Sequence, residues 1–87
     1  MGKLEFELPL SEEGFKQALE ELLAGRSISI SGCHVGPDLQ SGDIWGTDLY
    51  GVDTFYDNEI SESALQRAIK WADYENTRVD HPAEFSW

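Results

Sequence analysis

At 87 residues and 40% hydrophobic content, the chain makes one domain with a single core, burying only about 60–65% of the surface its unfolded form exposes. Seventeen acidic against six basic residues give a formal charge of -11, which disfavours direct binding of nucleic acid and keeps the chain soluble at the cost of self-repulsion. A single cysteine excludes an internal disulfide framework, and no apolar run approaches the roughly 18 residues of a membrane span, so the expected setting is the cytoplasm, with no membrane partner.

Residues 3–10 alternate Leu4, Phe6, Leu8 and Leu10 against Lys3, Glu5 and Glu7, the pattern of a half-buried strand. Pro9 places it near a sheet edge. Ser11 is a helix N-cap, Glu12 and Glu13 suit the positive end of the helix dipole, and Phe15, Ala18, Leu19, Leu22 and Leu23 recur at helical spacing until Gly25. The first helix is expected over residues 12–24. Residues 26–34 read as a second strand, with Ile28 and Ile30 alternating with serines. A loop over 36–42 and two short strands near 43–49 and 52–57 follow.

Ser61 or Ser63 caps a second helix, with Leu65, Ala68, Ile69 and Ala72 as its apolar stripe, ending near Asn76. The polar tail over 77–87 carries Phe85 and Trp87, which would pack it back onto the domain. The expected architecture is an α+β two-layer sandwich of order β-α-β-β-β-α. Its small, mostly antiparallel sheet carries both helices on one face.

Between residues 27 and 66 the chain holds seven carboxylates and no Lys or Arg. Asp38, Asp43, Asp48 and Asp53 recur every five residues in PDLQS, GDIWG, TDLYG and VDTFY. These fives resemble the pentapeptide-repeat family, in which a small residue, Asp or Asn, and then Leu form the rungs of a square β-helix, and some members imitate duplex DNA. The resemblance covers 20 of 87 residues, a single coil, whereas a solenoid needs several coils to bury a core. Hairpins are the reading adopted.

Unneutralised carboxylates interleaved with aromatics suit a surface that competes for the basic groove of a nucleic-acid-binding protein. The candidate partner-binding residues are Asp38, Asp43, Trp45, Asp48, Tyr50, Asp53, Tyr56, Asp57 and Glu59. The expected partner is a basic nucleic-acid-binding protein or nuclease complex. In type this is similar to phage-encoded anti-CRISPR and anti-restriction proteins and to nuclease-toxin immunity proteins.

No phosphate loop, dinucleotide fingerprint or Gly-x-Ser-x-Gly elbow is present, and Cys33 and His34, adjacent on a strand, face opposite ways. Neither catalysis, a cofactor nor a metal centre is therefore expected, and His34 is read as at least half buried against a serine. The alternative is a ligand- or cation-binding module built from the glycine-rich, aromatic and Asp loops of residues 36–57. Composition leaves monomer or dimer open.

Overall fold

The computed structural model describes residues 3–80. Seven elements follow in chain order: β1 (Leu4–Phe6), α1 (Glu12–Leu23), β2 (Ile28–Ile30), β3 (Cys33–Asp38), β4 (Asp43–Thr47), β5 (Thr54–Asp57) and α2 (Glu62–Asp80). The strands form one mixed sheet in sequence order, β1 parallel to β2 and the remaining pairs antiparallel. This is the two-layer α+β fold that the sequence leads one to expect, and the successive antiparallel hairpins leave no place for a β-helix coil.

The sheet divides differently after β2. Ser31 and Gly32, at φ 47 and 91, turn the chain back on itself, so the run read as one strand followed by a loop is the β2–β3 hairpin. Gly36 and Pro37 look like strand breakers, yet both lie in β3. The β2–β3 pairing stops at Ile28↔Val35, so at Pro37 the strand has only β4 beside it and a missing N–H is tolerated.

Alternation then sorts the sheet into two faces. Ile28, Ile30, Cys33, Val35 and Ile44 point to one side, where Ala18 and Leu22 of α1 and Ala64, Leu65, Ala68 and Ala72 of α2 complete the buried core. Gly46 on β4 leaves room on that side for Trp71 of α2, whose ring stacks on Phe55 with centroids 5.6 Å apart. Both helices thus cover the same face.

Helix ends follow the sequence signals. The Ser11 hydroxyl accepts the Gly14 amide at 3.0 Å and the Ser61 hydroxyl accepts the Ala64 amide at 3.1 Å, which makes Ser61 rather than Ser63 the second cap. Gly25, at φ 89, ends α1 while the Arg26 amide closes onto the Glu21 carbonyl. The second helix runs on past Asn76 to Asp80, so the first residues assigned to a tail are helical. The expected fold-back of Phe85 and Trp87 falls outside the described residues. Among the described residues no helix is long and apolar enough to cross a membrane.

Candidate interaction surface

Opposite the helices lies a sheet face that no described element covers. Its central row, read across the strands, is Glu5, Ser29, His34, Thr47 and Thr54; beside it run Gly36, Trp45 and Tyr56, then Asp38 and Asp43. Trp45 is 37% and Tyr56 63% exposed, unusual for aromatics on the middle and edge strands of a small sheet. His34 is exposed here, its Nδ1 2.7 Å from Lys3 Nζ; the expectation of a half-buried histidine held by serine fails because β3 presents position 34 to the uncovered side.

The turn joining β3 to β4 fixes the two aspartates of this face. Asp38 Oδ1 accepts the amides of Gln40 at 3.1 Å and Ser41 at 3.4 Å, while Asp43 Oδ2 accepts the Ser41 hydroxyl at 2.9 Å. Asp43 also accepts the Tyr56 phenol, and that hydrogen bond, together with partial desolvation and the charges of Asp43, Asp38 and Asp57, raises the phenol's pKa. The four residues Asp38, Asp43, Trp45 and Tyr56 therefore form one contiguous anionic and aromatic patch.

The other candidates are not part of it. Asp48, expected to meet a partner, is only 3% exposed. Its Oδ1 accepts the Val52 amide at 2.7 Å, and its backbone exchanges bonds with Asp53 and Gly51, so the carboxylate organises the β4–β5 loop from inside. Desolvation pushes the Asp48 pKa up, but the amides of Val52, Asp53, Gly51 and Tyr50 outweigh it and hold the group below its ordinary value. The loop so held projects Leu49, Tyr50 and Val52 outward at 59%, 65% and 74% exposure, which puts Tyr50 at a tip away from Trp45 and Tyr56.

Asp48 and Asp53 instead gather with Glu75, their nearest carboxylate oxygens lying within 4.8 Å of one another. Glu75 is 3% exposed and was not among the candidates. The available signal was its place: Leu65, Ala68, Ala72 and residue 75 share one helical stripe, so a carboxylate stands there where an apolar side chain fits. Three oxygens at this separation suit a hard cation in chemical type. A small cavity of about 30 Å³ adjoins them, bordered by Ser31, Cys33 and Asn76.

Asp57 and Glu59 are bound to the protein's own Arg67, Nε to Asp57 at 2.6 Å and a terminal nitrogen to Glu59 at 3.2 Å. The guanidinium lowers the Asp57 pKa, chiefly through that hydrogen bond. Arg67 lies only one residue beyond the basic-free stretch, but α2 folds it back over β5, where its single charge offsets one of the two carboxylates that end the acidic series. A larger open groove of about 630 Å³ lies between Leu8, Pro9 and the α2 residues Gln66, Arg67, Ile69 and Lys70, and no residue from 36–57 lines it.

These environments give stability two pH limits. Asp48, Asp57 and Glu21, the last held by Arg26, have lowered pKa values, so the unfolded chain takes up protons first. Their contribution is whole above about pH 4.5 and is lost as pH falls below about 4. Burial pushes the Cys33 thiol up to about 11, with the negative charges of Glu75 and Asp48 adding to it. The unfolded chain then loses the thiol proton first, and stability falls as pH climbs from about 9 towards 11. Urea midpoints measured from pH 3 to 11 should fall on both sides of neutrality, and Cys33→Ala should make the alkaline limb shallower; an unchanged limb removes the thiol as its cause.

Compared with known proteins, the chain matches no family model, no curated protein and no solved structure, so its own geometry carries the functional reading.

Proposed function

We propose that this protein is a small, non-enzymatic acidic inhibitor that binds a basic nucleic-acid-binding protein or nuclease complex and blocks its nucleic-acid site. The observation that carries the reading is the helix-free sheet face, where exposed Trp45 and Tyr56 adjoin Asp38 and Asp43. Interfaces draw their affinity from aromatic anchors and their association rate from complementary charge, and this patch offers both. Glu5 is exposed on the same face, but the Lys3 ammonium against His34 offsets its charge there, so the negative field is strongest at the Asp38–Asp43 end. The docking surface is thus narrower than the acidic stretch, because Asp48 is internal and Asp57 and Glu59 are engaged by Arg67.

The test is capture of partners on the immobilised protein, with competition by duplex DNA or RNA. The retained partner should be basic and released by nucleic acid. The double variant Asp38→Lys, Asp43→Lys should weaken its binding about a hundredfold and flatten the salt dependence. Retained proteins that nucleic acid does not displace, or an affinity unchanged by the double reversal, would sink the reading.

A second reading, a cation-binding module in the 36–57 loops, draws on the convergence of Asp48 and Asp53 with Glu75. It predicts that calcium raises the melting temperature of the wild type but not of Glu75→Gln. Basic-partner capture without any calcium response leaves the inhibitor reading in place.

A further inference from the structure

The flat outward face of Trp45 is a consequence of Gly36. A Cβ at position 36 would overlap Trp45 Cζ2, and the two ring atoms bonded to that carbon, Cε2 and Cη2, would both be 2.8 Å from it. Separations this short to both neighbours put that Cβ over the ring, since a position in the ring plane beyond Cζ2 would lie farther from them, so the indole lies flat on the β3 backbone. One face of the ring is spent on Gly36 and the other looks outward, in keeping with its 37% exposure. Directly across the β4–β5 pairing stands Tyr56, with its phenol tied to Asp43, and Asp38 pairs with Asp43 at the end of the same two strands.

From this arrangement we propose that the Trp45–Tyr56–Asp43–Asp38 patch is an arginine-selective anchor, in which a partner's guanidinium stacks on the outward indole face and pairs with the Asp43 and Asp38 carboxylates. The proposal rests on the docking reading above and names the side chain that the surface selects. A guanidinium is planar, weakly hydrated and forked, so it stacks on an aromatic plane and engages a carboxylate at once. An ammonium is compact and strongly hydrated and gains less from the flat ring. Asp38 and Asp43 are already oriented by the amides of Gln40 and Ser41, the Ser41 hydroxyl and the Tyr56 phenol, so little side-chain freedom remains to be lost on binding. A carboxylate has about four lone-pair positions, which leaves each of them capacity for an incoming donor.

The probes are capped hexa-arginine and hexa-lysine peptides, titrated at low salt while the Trp45 indole N–H resonance is followed by NMR. Hexa-arginine should bind about tenfold more tightly and shift that resonance strongly. Trp45→Leu and Asp43→Asn should each reduce the preference to within about twofold. If Trp45→Leu does not fold, Asp43→Asn decides, since its side chain stands at the start of β4 on the uncovered sheet face, outside the core. Equal binding of both peptides to the wild type, or a preference that survives Asp43→Asn, overturns the arginine anchor while leaving the acidic docking surface standing. Binding of neither peptide overturns both.

Discussion

Gly46→Val will cost about 3 kcal/mol of folding stability, near the upper end of what overpacking a core usually costs. Position 46 is on the helix side of β4, where a Cβ would stand 2.8 Å from Trp71 Cζ3 and 3.2 Å from the His34 carbonyl oxygen. The carbonyl belongs to the β3–β4 ladder and has nowhere to go, so the ring must move. Moving Trp71 breaks its stack on Phe55 and lifts the middle of α2 from the sheet. For a domain of this size the melting temperature should fall by roughly 12–24 °C. Trp71→Leu in the same background should return part of the loss by vacating the space. A loss under about 1 kcal/mol would mean that α2 slides more easily than close core packing allows.

Two adjacent leucines of α1 provide the second large effect. Leu22 is 0% exposed and Leu23 56% exposed, although they differ by one position on the same helix. Leu22→Ala should cost about 3 kcal/mol through lost burial and the cavity left against the sheet, and Leu23→Ala less than about 0.5 kcal/mol. A chain of 87 residues has on the order of 4–13 kcal/mol in total, so the first change leaves a visibly unfolded fraction at modest urea and the second does not. Equal costs for the two would mean that α1 sits on the sheet rotated from the orientation described.

Both helices were legible because their signals are local: a serine cap, acidic first-turn residues in α1 and apolar positions three and four apart. The strand boundaries were harder to read. Gly36 and Pro37 carry the composition of a loop, but Gly36 is in the sheet because Trp45, nine positions later, lies across it. That is a tertiary reason, and nothing beside Gly36 in sequence announces it.

The same limit governed the acidic series. Residue counting registers charge but not direction: it does not tell that Asp48 turns inward to hold a loop, or that α2 returns Arg67 to Asp57. The five-residue period marks hairpin closures and not coils: Asp38 pairs with Asp43, and the Asp48 amide donates to the Asp53 carbonyl, each across four intervening residues. Within the β3–β4 hairpin, cross-strand register joined Asp38 to Asp43 and strand parity put Trp45 on their side of the sheet. Glu75 escaped notice because a single acidic residue in a charged helix does not stand out until its stripe is seen facing inward.

The strands lie in the sheet in the order in which they are made. Every side chain of the proposed arginine anchor comes from β3, β4 and β5, two successive hairpins whose connections are short, so closing them costs little chain entropy. Local contacts of this kind form early, whereas β1 reaches its neighbour only after the α1 crossover. The Trp45, Tyr56, Asp38 and Asp43 patch is therefore written into one contiguous ribbon, which the helices and β1 and β2 back.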